Sequence, residues 1–130
     1  LLINKIYKIR YKHLFEKIKR RYKNIKIIVA TNHLSFVKKF IIDNFDATYL
    51  DDIIISAEIN KIKPNADFYE YILNRYNITP RELLFIDDNI DNIKSANSLK
   101  INTIKVEKST NLFFEITKVI DNCTFVNWNV

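Results

Sequence analysis

Four residues of this chain form a set whose chemistry suits a phosphate group and a metal ion: Thr31, Lys63, Asp87 and Asp88. Asp87 and Asp88 are adjacent and follow the apolar run LLFI, and two neighbouring carboxylates repel each other unless a cation lies between them. A hard ion with oxygen ligands, such as Mg²⁺, is the natural cation for such a pair. Lysine binds phosphate as a point charge, and a threonine hydroxyl can donate to a phosphoryl oxygen. The set therefore indicates phosphoryl transfer, a reaction in which positioning and electrostatics carry most of the catalysis.

The elements that must position these residues alternate along the chain. Strands are predicted at IKIIVATN, DIIIS, ELLFIDD and NTIKV. Helices are predicted at KIYKIRYKHLFEKIKRRY, SFVKKFIIDNF, KPNADFYEYILNRY, NIDNIKSANSL and TNLFFEITKVI. Such alternation with short connections predicts right-handed βαβ units, and therefore an α/β fold with a parallel sheet and helices on both faces.

Ligands of such folds bind outside the carboxyl ends of the strands. The first three predicted strands end at Thr31-Asn32, Ser56-Ala57 and Asp87-Asp88, and Lys63 lies in the loop after the second strand. We therefore expect a hydroxyl, an ammonium and two carboxylates to meet at one rim of the sheet.

Simpler interpretations of the same residues stay open. Asp87 and Asp88 could be acids that complement the dipole of the helix that follows them. Thr31 could be an ordinary strand-end residue, and Lys63, which precedes Pro64, could be an exposed turn lysine. A helix start needs only one cap, and the lysine and the threonine are expected at the same rim, so we favour the metal interpretation of the two aspartates.

Composition limits the class of protein. With 130 residues, of which 48% are hydrophobic and 28% charged, the chain is expected to be one globular domain. One cysteine excludes an internal disulfide, and the sequence shows no membrane-spanning run and no signal-peptide pattern, so a cytoplasmic location is expected. The sequence has no methionine, which indicates that Leu1 is not a natural start, and no glycine, for which asparagine is the best substitute at positive φ.

Charge is concentrated at the amino terminus. Residues 1–26 hold ten lysines and arginines against one acid, Glu16. Such a segment could bind nucleic acid, but a solvated helix face in a lysine-rich sequence explains it equally well and is the interpretation we prefer. We therefore expect no nucleic-acid partner and no membrane contact.

Three segments, taken together, resemble the haloacid dehalogenase (HAD) superfamily of hydrolases. IIVATN resembles the second family motif, SAEINKIKPNADFYEYIL the third, and LFIDDNIDNIKSA the fourth in its paired-aspartate form. The three appear in the family's order, and the resemblance covers residues 11–106 approximately. It implies a three-layer α/β/α Rossmann-like sheet.

The resemblance also implies a role for each matching residue. Thr31 and Lys63 would be catalytic, Thr31 by donating a hydrogen bond to the phosphoryl group and Lys63 by neutralising its charge. Asn32 would help to position the phosphoryl group. Asn92 would orient the residues that contact the ligand without contacting the ligand itself. Asp88 would be the main ligand of the cofactor Mg²⁺, with Asp87 as the second carboxylate or as support.

The sequence departs from the family at its first motif. The DxDx(T/V) segment, which in the family follows the central strand and supplies the aspartyl nucleophile, is absent from these residues. We therefore expect four strands with the central strand missing, an incomplete core over residues 11–121 and a tail over 122–130. Residues 1–10 could be the end of a cap helix. Glycines common in the family are replaced by His33, Asn60 and Lys100.

The function that the resemblance implies is a Mg²⁺-dependent phosphatase acting on a small phosphomonoester through an aspartyl-phosphate. This chain would be its C-terminal portion, inactive until a missing N-terminal segment or another chain supplies the nucleophile. The alternative is a degenerate, non-catalytic binding or regulatory module. A phosphorelay receiver domain has similar residues in a different order, and dehalogenases of this family do not use the metal that paired aspartates favour.

Overall fold

The computed structural model describes residues 2–3, 13–32 and 47–122, in which five strands form one parallel sheet. The strands are β1 (Leu2–Ile3), β2 (Ile28–Thr31), β3 (Asp52–Ile55), β4 (Leu84–Asp87) and β5 (Asn102–Lys105). Their order in the sheet is β3-β2-β1-β4-β5, and every neighbouring pair is parallel. The predicted α/β class with a parallel sheet is confirmed.

Helices connect these strands. They are α1 (Leu14–Arg21), α2 (Ser56–Ile59), α3 (Ala66–Arg75), α4 (Ile90–Ser98) and α5 (Leu112–Asp121), with short 3₁₀ turns at Ala47–Tyr49 and Pro80–Glu82. The helix predicted at SFVKKFIIDNF and the tail from residue 123 onward lie outside the described residues. Within the described ranges, each helix is too short or too polar to cross a membrane.

The expectation of a four-stranded sheet without a central strand is wrong. Leu2 pairs with Ile28 of β2 and with Phe85 of β4, and Ile3 pairs with Val29 and Ile86, so β1 occupies the centre. A gap there would leave the facing backbone groups of β2 and β4 without partners inside the protein. The same finding corrects the suggestion of a cap-helix end over residues 1–10, because Leu2–Ile3 form a strand; residues 4–10 lie outside the described residues.

The core has two layers because successive strand residues point to opposite faces of the sheet. On one face, Val29 of β2 and Ile86 of β4, together with Ile27 just before β2, pack with the apolar faces of α1 and α5. On the other face, Ile28, Ala30 and Phe85 pack with α3 and α4. The sheet is therefore packed between two layers of helices. The site residues lie at the carboxyl edge of this sheet.

Three of the described helices end in left-handed residues that are not glycine. After α3, Asn77 has φ 50°, and after α4, Lys100 has φ 67°. At α4, the Lys100 N–H donates to the carbonyl of Asn97 and the Ile101 N–H to that of Ala96, which is the Schellman pattern. Asn60 also has a positive φ, 55°, as expected for an asparagine in a glycine position.

Candidate phosphate and metal site

Three of the predicted site residues come to the carboxyl edge of the sheet from separate elements. Thr31 ends β2, Asp87 ends β4, and Lys63 lies in the loop between α2 and α3. All three are buried, with exposed fractions of 4%, 1% and 3% respectively. Because β2 and β4 flank β1 on its two sides, the edge between them is the place where residues from both strands can face one ligand.

Lys63 and Asp87 form a buried ion pair. The Lys63 Nζ lies 3.6 Å from the Asp87 Oδ2, and both side chains are completely buried. The ammonium also donates to the carbonyl of Ala30 at 3.1 Å, and the rings of Phe68 and Phe85 lie 5.8 Å and 5.9 Å from it. The lysine is therefore fixed at its charged end by a carbonyl, a carboxylate and two aromatic rings.

The surroundings of Lys63 act on its pKa in opposite directions. Burial disfavours the charged ammonium and lowers the pKa of Lys63 to about 8, while the charges of Asp87 and Asp88 raise it. Burial has the larger effect, yet a pKa near 8 leaves the ammonium mainly protonated at neutral pH. The site thus keeps a desolvated positive charge, which interacts with an anion more strongly than an exposed lysine would.

Asp87 is held in place from α4. Its Oδ1 accepts a hydrogen bond from the Asn89 N–H at 2.8 Å, and its Oδ2 accepts one from the Asn92 Nδ2 at 2.9 Å. The carbonyl of Asn92 in turn accepts from the buried hydroxyl of Tyr69 at 2.9 Å. Asn89 also caps α4, with its side chain accepting from the N–H groups of residues 91 and 92. The carboxylate of Asp87 is therefore oriented by the start of a helix that α3 supports.

Asp88 is half-buried, and its Oδ1 is shielded from solvent. The described residues contain no group of three or more acids, histidines or cysteines that could hold a metal by themselves. Asp87 and Asp88 nevertheless fit Mg²⁺, because this ion usually takes one or two carboxylates and fills its other positions with water and phosphate oxygens. The oxygens of Asp87 also accept from Asn89 and Asn92, which fixes the orientation of this carboxylate.

Asn32 contacts Lys63 through both atoms of its amide. Its Oδ1 accepts from the backbone N–H of Lys63, and its Nδ2 donates to the backbone carbonyl of Lys63, both at 3.0 Å. The resemblance implies a contact with the phosphoryl group for this residue. In the structure the Asn32 amide holds the peptide backbone that carries the lysine.

Sequence reasoning missed two residues of this site, Asn89 and Tyr69. An asparagine between a strand end and a helix is a recognisable N-cap signal, so Asn89 could have been found. Tyr69 has the spacing of a core residue on α3, and nothing in the sequence distinguishes its hydroxyl from that of any other buried tyrosine. His33, which we considered as a glycine replacement, lies outside the described residues.

The basic helix α1 is partly neutralised by acids. Arg20 pairs with Glu16 at 2.6 Å, Arg21 with Asp121 at 2.6 Å, and Lys19 with Asp51 at 2.5 Å. Charges that are paired within the protein contribute less to an external field, so α1 presents less net positive charge than its sequence alone suggests.

A family model and several curated proteins match parts of the chain in sequence. The model described as haloacid dehalogenase-like hydrolase matches residues 5–106. Glyceraldehyde 3-phosphate phosphatase from Methanocaldococcus jannaschii is 33% identical over 61 residues, which are 46% of this chain and 27% of that protein. The chain spans only 14%, 8% and 13% of the length of three larger curated relatives.

Solved structures share the fold. An uncharacterised protein from Corynebacterium glutamicum has a TM-score of 0.76 at 13% identity, over 92% of this chain and 93% of that one. A HAD family enzyme from Bacteroides thetaiotaomicron, in complex with magnesium and inorganic phosphate, has a TM-score of 0.68 at 22% identity, over 79% of this chain and 54% of that one. Since the family model covers most of the sequence and the fold is shared, the chain belongs to the haloacid dehalogenase-like hydrolase family.

Proposed function

We propose that these residues form the phosphate-binding and Mg²⁺-binding half of a phosphatase site that acts on a small phosphomonoester. The observation that carries the proposal is the buried Lys63–Asp87 pair at the carboxyl edge of the sheet, next to the end of β2. A phosphatase among the relatives, and a fold neighbour solved with magnesium and inorganic phosphate, support the choice of ligands.

In this proposal, Lys63 and Thr31 bind the phosphoryl group. The buried ammonium of Lys63 supplies a positive charge that water screens little, and the Thr31 hydroxyl at the end of β2 donates to a phosphoryl oxygen. Ala30 and Asp87 fix the ammonium in position before the ligand arrives, so little reorganisation is needed on binding.

Asp88, supported by Asp87, would hold Mg²⁺. When bound, the ion supplies positive charge that neutralises phosphate oxygens and orients them. The part that this chain plays is to present two carboxylates in a fixed arrangement, with the Asn89 N–H and the Asn92 amide preventing Asp87 from turning away. Orientation by such outer contacts is a common requirement of metal sites.

The nucleophile is the part that the sequence does not supply. In the family, an aspartate follows the central strand, whereas here β1 continues in the sequence as Asn4, Lys5 and Ile6, and the first acid of the chain is Glu16. We therefore propose that residues 1–130 bind Mg²⁺ and phosphate without hydrolysing esters. Hydrolysis would need a carboxylate from a preceding segment of a longer protein or from another chain.

A second candidate is a non-catalytic module that binds phosphorylated ligands. The presence of β1 at the centre of the sheet favours it, because the family's nucleophile strand occupies that place. The double variant Asn4→Asp/Ile6→Asp, which creates the acidic pair after β1, separates the candidates. Mg²⁺-dependent turnover in this variant would mean that β1 is itself a degenerate nucleophile strand and favours the second candidate; no turnover favours the first.

The test of the proposed function is calorimetric titration of the 130-residue chain with MgCl₂ and with inorganic phosphate, for the wild type and for Lys63→Met. Wild type should bind both. Lys63→Met should bind phosphate at least tenfold more weakly, while its Mg²⁺ affinity is unchanged or higher, because the ammonium repels a cation. Phosphate affinity that is the same in both proteins would overturn the role of Lys63. Robust Mg²⁺-dependent phosphatase activity of the wild-type chain would overturn the proposed lack of a nucleophile.

A further inference from the structure

We propose that Asn32 is the positioning residue of Lys63, and that it acts on phosphate only through that lysine. This inference rests on the proposed function, since it assigns a role to Asn32 within the same phosphate site. It replaces the direct phosphate contact that the family resemblance implies for Asn32 with a contact to the protein backbone.

The geometry is a two-bond pair between a side-chain amide and a peptide backbone. The Asn32 Oδ1 accepts from the Lys63 N–H and the Asn32 Nδ2 donates to the Lys63 carbonyl, each at 3.0 Å. A primary amide offers one acceptor and one donor group on the same plane, so it can satisfy both backbone groups of one residue. An ionised aspartate lacks the donor, and a serine carries its donor and its acceptor on a single oxygen atom, so neither offers two separate atoms for the two backbone groups.

The pair matters because Lys63 lies in a loop. Its backbone groups are outside any helix or strand and need partners to be fixed. Asn32 directly follows β2, which is paired on both sides within the sheet. Through Asn32 the loop is tied to a strand that is hydrogen-bonded on both sides, immediately after Thr31.

Both ends of Lys63 are in fact held by β2 and its extension. Asn32 holds the backbone, and the carbonyl of Ala30, two residues earlier, accepts from the Nζ at 3.1 Å. On the other side of the loop, the Ser95 Oγ of α4 donates to the carbonyl of Pro64 at 2.5 Å. Lys63 is thus anchored at its backbone by Asn32 and at its charged end by Ala30, with the ammonium 3.6 Å from the Asp87 Oδ2.

This arrangement predicts energetic coupling. If Asn32 acts by placing Lys63, removing its amide should weaken phosphate binding only while the lysine is present. If Asn32 instead contacts phosphate directly, the loss should be the same with and without the lysine. A double-mutant cycle measures this difference.

The experiment compares wild type, Asn32→Ala, Lys63→Met and the double variant by calorimetric titration with inorganic phosphate in MgCl₂. We expect Asn32→Ala to weaken phosphate binding about tenfold in the wild-type background, as for the loss of one to two hydrogen bonds, and less than twofold in the Lys63→Met background. Asn65→Ala is the matched control. Asn65 is exposed and lies two residues after Lys63, and its side chain makes no capping bond to α3. The phosphate affinity of the Asn65→Ala protein should therefore equal that of wild type.

A second measurement needs no ligand. Hydrogen exchange of the Lys63 amide, followed by NMR, should accelerate at least tenfold in Asn32→Ala and stay unchanged in Asn65→Ala. Equal weakening of phosphate binding in both backgrounds, or an unchanged Lys63 exchange rate, would overturn the positioning role. A wild-type chain that does not bind phosphate would overturn the proposed function instead, and the exchange experiment would still decide whether Asn32 fixes the Lys63 backbone.

Discussion

The ammonium of Lys63 lies 3.6 Å from the Asp87 Oδ2, and neither side chain has any exposed surface. Burial of two charges is expensive, and an apolar pair of similar volume would often be as stable or more stable. The separation is also longer than that of a hydrogen bond, so the pair gains less from direct contact than a close ion pair would. A sequence that keeps such a pair at the carboxyl edge of a parallel sheet is best explained by a ligand that uses both charges.

The first prediction concerns the stability of the pair. Lys63→Met leaves the Asp87 carboxylate buried without its cation, which should lower the free energy of unfolding by about 3 kcal/mol. Hydrogen bonds from Asn89 and Asn92 remain and should keep the loss at the lower end of the usual range. Urea unfolding measures it. Lys61→Met is the control, because Lys61 is partly exposed and lies two residues earlier in the same loop. It should change the free energy of unfolding by less than about 0.5 kcal/mol. Identical urea midpoints for Lys63→Met and wild type would contradict the importance of the pair.

The second prediction is a pH dependence with a defined sign. Folding lowers the pKa of Lys63 from its ordinary value of 10.5 to about 8, chiefly by burial. Below pH 8 the lysine is protonated in both states, and the cost of burying its charge is present in full. Between pH 8 and 10.5 the unfolded chain binds more protons than the folded one, so the contribution of Lys63 to stability improves as pH rises.

The quantity to measure is the difference between wild type and Lys63→Met, because every other group is common to the two proteins. Urea midpoints taken from pH 7 to pH 10 should show wild type gaining relative to the variant. A difference that stays constant across this range would mean that the pKa of Lys63 is not lowered in the folded protein.

The sequence predicts the sheet well where strands are long enough to show a pattern. The β-branched run that ends at Thr31 and the apolar run that ends at Asp87 identify two buried strands, and the carboxyl-edge rule then brings Lys63 close to them. β1 could not be found in this way. Leu2–Ile3 is too short to show a period, and it is a strand only because β2 and β4 both need a partner.

The site is less predictable than the fold for a related reason. Residue types indicated which groups could do chemistry, but the contacts that orient them join distant positions. Asn32 and Lys63 are 31 residues apart in the sequence, and Tyr69 and Asn92 are 23 apart. Hydrogen bonds of this kind depend on how α3 and α4 pack on the sheet, and no local pattern carries that information.

The third prediction concerns the support of Asp87 by α4. Asn92→Asp removes the donor to the Asp87 Oδ2 and places a carboxylate beside it. Without metal, the lost hydrogen bond and the new repulsion should lower the free energy of unfolding by about 2–3 kcal/mol. Mg²⁺ would relieve the repulsion between the two carboxylates. About 10 mM MgCl₂ should therefore raise the melting temperature of the variant more than that of wild type.

Asn97→Asp provides the matched control on the same helix. Asn97 is exposed, and its Oδ1 accepts from the Thr103 Oγ1, a bond that an aspartate can keep. Its melting temperature should respond to MgCl₂ as wild type does. If MgCl₂ stabilises Asn92→Asp no more than Asn97→Asp, the acids at the end of β4 do not form the metal site.

The fourth prediction uses the end of α4, where Lys100 has φ 67° in a position that usually holds glycine. A residue with a Cβ costs roughly 1 kcal/mol in this left-handed conformation, whereas glycine adopts it freely. Lys100→Gly should therefore raise the free energy of unfolding by about 0.5–1 kcal/mol, although it removes a side chain from an exposed position. Lys94→Gly, in an exposed position inside the same helix, should lower it by about 1 kcal/mol because glycine is a poor helix former. Urea unfolding of both variants measures the contrast, and a Lys100→Gly protein less stable than wild type would show that the lysine side chain contributes more than its backbone conformation costs.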